Sequence, residues 1–226
     1  MKDKPSIDFS LLLASSVHDI KNSLSMLLNS LEEIIASEAG NTKLNKNFSI
    51  LHSEAARINH ALIHLLGTYR LDNNQLKVAS DEVFVLDFLE EQIASHQLLF
   101  DINAVQVKVD CDESLTAYFD EKLIAGVVTN ILVNCTKYTK NTITVSAQAQ
   151  QSGIQITIQD NGRGYPEAIM NSLSNEERGL DFESGSTNLG LHFAAEIAQL
   201  HICKDQVGAI SLSNNETGGL FSLYLP

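Results

Sequence analysis

The stretch Asn130–Ile–Leu–Val–Asn–Cys–Thr–Lys–Tyr–Thr139, NILVNCTKYT in one-letter code, decides how this chain is read. It closes an apolar segment in which Leu123, Ile124, Val127, Val128, Ile131 and Leu132 recur at helical spacing, the period of a helix with one buried face. Asp120 stands before the segment as a fitting N-cap. Asn130 and Asn134 sit one helical turn apart in this apolar context, with Lys137 and Tyr138 just beyond. Amides presented from an apolar face cost free energy unless they bind something. Asn134 offers a carbonyl oxygen to a hydrated Mg²⁺, an oxygen-seeking ion. Lys137 can meet phosphate as a point charge. Amides that only cap a helix or face another one remain the alternative at this point.

Working outward, Thr142–Val145 and Ile154–Ile158 read as antiparallel neighbours joined across the polar Gln148–Gly153 turn. The second strand runs into Asp160–Asn–Gly–Arg–Gly164. A carboxylate at a strand end followed by two glycines lets the backbone turn closely around a small ligand. Asp160 can accept a hydrogen bond from an adenine amino group, although the same five residues also make an ordinary turn. Gly185–Ser–Thr–Asn–Leu–Gly190 then leads into a helix expected over 189–200. A small-residue loop at a helix N-terminus suits anion binding through backbone N–H groups and the helix dipole. It matches neither the dinucleotide fingerprint nor the Walker pattern. The stretch between, with Asn171, Ser172, Asn175, Gly179 and Ser184, reads as an irregular loop suited to a lid.

Further strands are expected at 83–85, Val105–Val109 and Leu115–Phe119, with a helix over 87–99 that points Phe88, Leu89 and Ile93 inward. Ala209–Leu212 and Leu220–Tyr224 form a closing hairpin. Helices on one side of a mixed or antiparallel sheet would bury this pattern.

Residues 1–76 follow a different rule. Leu13, Val17, Ile20, Leu24, Leu27, Leu31 and Ile34 alternate spacings of four and three, the seam of a helix built for coiled-coil-like packing. Ala39–Gly–Asn–Thr42 interrupts it, and a second seam runs through Leu51, Ala55, Ile58, Leu62, Leu65 and Tyr69. A short polar link between two such helices predicts an antiparallel hairpin. Leu11, Leu12, Leu28 and Ile35 widen the first stripe, and Ile50, Ala61 and Leu66 the second, which predicts a homodimeric four-helix bundle.

His18 lies beside Val17 at the rim of that seam, in His18–Asp–Ile–Lys–Asn22. An exposed neutral imidazole can attack phosphorus, and the adjacent Asp19 can orient it or take its proton. Asn22, one turn on, can position a water for the reverse, hydrolytic reaction. An inert surface histidine is the plain alternative for His18. It is the preferred reading for His52, His60 and His64, which lack such neighbours.

Charge narrows the partners. Residues 1–76 carry 7 Lys/Arg against 8 Asp/Glu, whereas residues 77–226 carry 8 against 20, within a net charge of −13. That field repels a phosphate backbone and argues against nucleic acid. A small nucleotide arrives with its own divalent cation and is held by local groups. No apolar run approaches the roughly 20 residues of a membrane span, so no membrane insertion is expected. The N-terminus lacks a signal-peptide pattern, and Cys111, Cys135 and Cys203 form no CxxC pair; a cytoplasmic location is the expectation. His201 and Cys203 have the look of half a metal site, but ordinary packing is the preferred reading.

Taken together and in this order, the segments resemble the catalytic core of a two-component sensor histidine kinase, over nearly the whole chain from about residue 8. HDIKNSL at 18–24 is similar to the family's phosphoacceptor box and NILVNCTKYT at 130–139 to its N box. DNGRGYP at 160–166 resembles the first glycine box, and STNLGLHFAAEIAQLH at 186–201 the second. The resemblance implies that residues 1–76 are a dimerisation and histidine phosphotransfer domain. It implies that residues 77–226 are a catalytic ATP-binding domain of Bergerat type, the left-handed-crossover α/β sandwich of gyrase- and Hsp90-type ATPases.

The same resemblance implies the residue roles. His18 accepts the γ-phosphoryl group of ATP and passes it to an aspartate in a response regulator receiver domain. Asp19 assists as base and Asn22 supports a phosphatase reaction. Asn134 coordinates Mg²⁺. Asn130 stands where the ATPase relatives carry a catalytic glutamate, so hydrolysis is poor. Lys137 and Tyr138 flank the nucleotide and Asp160 reads adenine. Gly162, Gly164, Thr187, Leu189 and Gly190 let the loops close around the ligand. The chain departs from the family in Ser23, where proline is usual, and in Ser186 and Asn188, where glycines are usual. Its lid motif is reduced to Phe182. With 17 residues before His18, input is expected from a separate sensory protein. Two alternatives follow from these departures: a histidine phosphotransferase or regulator phosphatase with a degenerate nucleotide domain, and a non-enzymatic dimeric scaffold for a regulator.

Overall fold

The computed structural model describes residues 78–174 and 187–226, together with Ile20, Leu24, Leu27, Leu28, Leu31, Ile34, Leu51, Ala55 and Ile58 in the N-terminal part. The chain divides into two compact units, Met1–Leu76 and Lys77–Pro226.

In the first unit every described position is helical. Leu31 and Ala55 are buried, whereas Ile20, Leu27, Ile34, Leu51 and Ile58 are exposed in the single chain. A seven-residue step returns to nearly the same face of a helix, so Ile20, Leu27 and Ile34 make one outward apolar stripe. The apolar positions predicted as a single seam thus divide between an inner and an outer face. His18, Asp19, Asn22, the 39–42 link and the pairing of the two helices lie outside the described residues.

The second unit runs β1 (Asp81–Phe84), α1 (Val85–Ala94), α2 (Gln97–Ile102), β2 (Gln106–Cys111), β3 (Thr116–Phe119), α3 (Glu121–Tyr138), β4 (Thr142–Gln150) and β5 (Gly153–Asp160). It continues with α4 (Glu167–Ser174), α5 (Thr187–Leu200), β6 (Ile202–Cys203), β7 (Gln206–Val207), β8 (Ala209–Asn214) and β9 (Gly219–Leu225). A five-stranded sheet has the order β2-β4-β5-β9-β8. Its β2–β4 pair is parallel and its other pairs are antiparallel. The crossover that parallel pairing demands passes through β3 and α3. β1 pairs with β3, and β6 with β7, in separate ribbons.

Period-two alternation organises the sheet. On β5, Ile154, Ile156 and Ile158 are buried and the residues between them are half-buried. Ile156 and Ile158 pair across with Leu223 and Phe221 of β9, all fully enclosed. α3 lays Ile124, Val127, Val128, Ile131, Leu132 and Cys135 into the core, and α5 lays Leu191, Ala194, Ile197 and Ala198. Each fully buried aliphatic side chain contributes about 1.5–3 kcal/mol. Phe88 and Phe119 meet edge to face at 5.3 Å between ring centroids. The Asp120 side chain caps α3 by accepting from Leu123 N, as its position predicted.

Several elements differ from the expected ones. The helix read over 87–99 breaks into α1 and α2. There Ser95 Oγ donates to Gln92 O at 2.8 Å and His96 Nδ1 lies at the same distance from that carbonyl, local bonds that compete with helix continuation. α4 forms inside the stretch read as loop, and the two-residue strands β6 and β7 are too short to show a period. His201 is a satisfied core histidine. Its Nε2 accepts from Asp120 N at 3.0 Å, and its Nδ1 donates to Ile197 O at 2.9 Å. Both ring nitrogens are engaged while Cys203 is exposed, so the pair makes no metal site.

Candidate functional site

The alternation of β5 does not stop at the last isoleucine. Asp160 is in phase with Ile154, Ile156 and Ile158, so its carboxylate enters the helical side of the sheet and is 6% exposed. A buried carboxylate needs hydrogen bonds. Oδ1 accepts from Gly162 N at 2.6 Å, while Oδ2 has no partner among the described residues. The neighbour of Asp160 on β9 is Gly219, where a side chain would begin 2.8 Å from Oδ2. A Cβ on Gly162 would stand 2.0 Å from the Tyr138 carbonyl oxygen. The Asp160 turn therefore presses on the C-terminal end of α3 at a point that admits only glycine.

A cavity of about 180 Å³ opens above the carboxylate. Ile131, Cys135, Pro166, Ile169 and Leu191 supply apolar wall, Asp160, Asn134 and Tyr165 supply polar groups, and Tyr138 and Arg163 complete the lining. Arg163 Cζ lies 5.0 Å from the Tyr138 ring centroid, a cation–π contact that covers one face of the ring. The volume is below the roughly 300–1,000 Å³ of a site for a drug-sized ligand. It suits a single aromatic base whose remaining atoms lie outside.

The wall is electrically quiet. Burial, and secondarily the charge of Asp160, pushes the Cys135 thiol well above its ordinary range. Burial, then Cys135 and Asp160, does the same to the Tyr165 phenol. Both stay protonated, and Asp160 stands as the acceptor that a base amino group requires.

Asn130, one turn before Asn134, is 7% exposed and its Nδ2 is a buried side-chain atom without a hydrogen-bond partner among the described residues. It packs against the first turn of α5: a Cβ on Gly190 would lie 2.6 Å from Asn130 Nδ2. Since α5 begins at Thr187, Thr187, Leu189 and Gly190 are helical residues rather than a loop before a helix. The glycine is placed there by the close approach of Asn130. The N–H groups of a first helical turn have no intrahelical acceptor and favour anions. An orphaned amide beside that turn, next to a cavity with a free carboxylate oxygen, fits a nucleotide with its base in the cavity and its phosphates toward Asn130.

Two amides unnoticed in the sequence hold the loop. Asn161 Oδ1 accepts from Thr139 Oγ1 at 2.8 Å and from the N–H groups of Lys140, Asn141 and Thr142, each at 3.1 Å. Asn214 clamps the Tyr165 backbone, accepting from its N at 2.7 Å and donating to its O at 2.8 Å. Gly164 adopts φ +77° directly against that Asn214 side chain. The only local hint of these roles was an asparagine beside each turn.

Of the expected site residues, the structure brings Asn134, Tyr138, Asp160 and Gly164 to the cavity, with Gly162 behind Asp160 and the Asn130–Gly190 contact nearby. Lys137 is exposed and does not line the cavity. Ser186 and Phe182 lie outside the described residues. A wider hollow of about 600 Å³ at the end of β2 includes Asp110, Cys111 and Asp112. It holds no buried unpartnered group among the described residues, and Ser114 already engages Asp112 through both N and Oγ. The smaller cavity is therefore the candidate site.

Residues 119–226 match the family described as histidine kinase-, DNA gyrase B- and HSP90-like ATPase. The chain is similar to the signal transduction histidine-protein kinase AfsQ2 of Streptomyces coelicolor, 26% identical over 77% of this chain and 31% of that protein. It is also similar to the hybrid signal transduction histidine kinase D of Dictyostelium discoideum, 25% identical over 94% of this chain and 14% of that protein. The chain thus spans less than a third of the length of either relative. Among solved structures, Acinetobacter baumannii histidine kinase AdeS superposes with a TM-score of 0.61 over 90% of this chain and 95% of that one, at 17% identity. The C-terminal unit has the Bergerat-type ATPase fold. Its similarity to histidine kinases supports reading that unit as an ATPase catalytic core of the kind they carry. Among the described residues no helix is long and apolar enough to cross a membrane.

Proposed function

We propose that this chain is an ATP-dependent protein-histidine kinase that autophosphorylates on His18 and passes the phosphoryl group to an aspartate of a response regulator receiver domain. In this reading residues 77–226 bind ATP and residues 1–76 form the homodimeric phosphotransfer domain. The observation that carries it is Asp160, a carboxylate fixed inside the core by Gly162 N with its second oxygen free toward a base-sized cavity.

Each residue then has a task. Asp160 accepts from the adenine amino group, and the Ile131, Ile169 and Leu191 walls exclude water from the base. Asn130 donates toward phosphate through its unpartnered Nδ2, and Lys137 adds a mobile positive charge outside the cavity. Among the described residues no group of three or more His, Cys, Asp or Glu is placed to hold a metal. Mg²⁺ would therefore come with the phosphates and take one oxygen from Asn134, neutralising charge that develops on the transferring group. Asn130 is an amide and cannot act as a base, so water near the γ-phosphate is not activated. His18 is the nucleophile, with Asp19 as its base, and Asn22 serves the reverse reaction on the regulator. The outward stripe of Ile20, Leu27 and Ile34 supports the dimer, since a single chain leaves it in water.

Incubation with γ-labelled ATP and Mg²⁺ tests the proposal. Acid-labile, base-stable label is expected on the wild type, absent in His18→Ala, and reduced at least tenfold in Asp160→Asn. No label together with no nucleotide binding refutes it. Phosphorylation of His18 from a phosphorylated regulator alone would then favour the phosphotransferase.

A further inference from the structure

The cavity wall contains a hydroxyl that the kinase reading leaves without a task. Tyr165 lines the cavity with Asp160 and Cys135. Asn214, at the end of β8, holds both its N–H and its carbonyl, so the side chain is carried by the sheet rather than by a free loop. Tyr165 Cε2 and Asp160 Oδ2 lie 3.0 Å and 2.8 Å from the same point, the place where a Gly219 side chain would begin. The glycine at that position lets the phenol edge and the free carboxylate oxygen come together. The Tyr165 hydroxyl has no hydrogen-bond partner among the described residues, and it stays protonated because burial and then the charges of Cys135 and Asp160 oppose its ionisation.

A base entering this cavity expels the water that solvates both groups. Asp160 Oδ2 can only accept, so it selects an exocyclic amino group. A 6-oxopurine would turn a second acceptor toward it. The Tyr165 hydroxyl, carried by the ring whose edge shares the Gly219 corner with Asp160 Oδ2, must then find an acceptor on the base or be left unpaired. On adenine the atoms flanking the amino group are the ring nitrogens N1 and N7, and both are acceptors. We infer that Tyr165 is a second base-reading residue, whose hydroxyl donates to a ring nitrogen next to the amino group accepted by Asp160. The inference rests on the ATP reading above. It assigns Tyr165 to specificity, leaving the phosphoryl transfer to other residues.

The test is equilibrium binding of ATP, 1-deaza-ATP and 7-deaza-ATP, each with Mg²⁺, to the full chain and to Tyr165→Phe. The phenylalanine keeps the ring beside Gly219 and removes only the hydroxyl. A neutral hydrogen bond predicts a loss of about three- to tenfold for ATP in the variant. The wild type should show a similar loss for whichever analogue lacks the partnered nitrogen, and the variant should bind that analogue as the wild type does. Unchanged ATP affinity in Tyr165→Phe overturns the inference, and so does an equal loss for ATP and both analogues, the mark of a purely structural effect. Failure of the wild type to bind ATP at all removes the ATP reading itself, and this inference with it. That outcome is distinct from binding by the wild type that the variant leaves untouched.

Discussion

Replacing Asn161 by alanine removes the acceptor that joins the end of α3 and the start of β4 to the Asp160 turn. Four donors converge on Asn161 Oδ1, and Asn161 Nδ2 donates to Asn141 Oδ1 at 2.8 Å. They are not equivalent. The Lys140 and Asn141 N–H groups are exposed, so water replaces the lost acceptor and they contribute little. The bonds from Thr139 Oγ1 and Thr142 N are part-buried, but each donor has a second acceptor, Thr142 O at 2.9 Å for the hydroxyl and Thr139 Oγ1 at 3.3 Å for the N–H, so each contributes about 0.5 kcal/mol. The expected destabilisation is therefore about 1 kcal/mol, which in a unit of this size lowers the melting temperature by about 2–4 °C. The chain has no Trp and 5 Tyr, of which only Tyr69 precedes residue 77. Near-UV circular dichroism during heating thus reports mainly on the C-terminal unit. Asn161→Asp keeps the acceptor oxygens and should retain more than half of the stability. A melting temperature for Asn161→Ala within about 1 °C of the wild type would show that the convergent bonds do not hold the turn.

Other perturbations probe the site from different sides. Gly190→Ala places a Cβ 2.6 Å from Asn130 Nδ2, so nucleotide affinity should fall about tenfold or more. Adding Asn130→Ala should relieve the strain, restoring thermal stability without restoring phosphate binding; a double variant no more stable than Gly190→Ala refutes the contact. Iodoacetamide should label the exposed Cys203 first and the buried Cys135 only on unfolding, which mass spectrometry of timed digests can follow. The thiol of Cys135 is raised from 9.0 and the phenol of Tyr165 from 10.0, in both cases mainly by burial. Acids held protonated by the fold give their full stability below the unfolded value. Stability should therefore decline as pH rises above about 9, through loss of protons from the unfolded chain first. A flat stability profile from pH 8 to 10.5 in urea titrations contradicts that burial, and Cys135→Ala should make the early part of the decline shallower.

Reading of the sequence reached the elements whose signal is carried by consecutive residues. α3 showed its apolar stripe and its Asp120 cap, β5 its alternation, and β8–β9 their closing hairpin, because helical and extended backbones impose periods of 3.6 and 2 on neighbouring side chains. α1 and α2 were merged, since the competing bonds of Ser95 and His96 to Gln92 O are invisible to a count of apolar spacings. β6 and β7 carry too few residues for any period.

At the site the division is sharper. The sequence by itself determined that a carboxylate ends β5 with two glycines just after it, and that amides interrupt the apolar face of α3. Those are covalent facts about order. Only the tertiary structure decided that Asp160 shares its corner with Gly219 and Tyr165, that Asn130 faces Gly190, and that Asn214 clamps Tyr165. Except for Asp160 and Tyr165, which are close in sequence, these pairs are separated by tens of residues, and their approach is set by strand order and by how closely α3 and α5 pack on the sheet. No local period encodes such distances. They appear when the β2-β4-β5-β9-β8 sheet brings β5 between β4 and β9, and there a turn whose sequence fits either a ligand loop or an ordinary turn becomes the floor of a cavity.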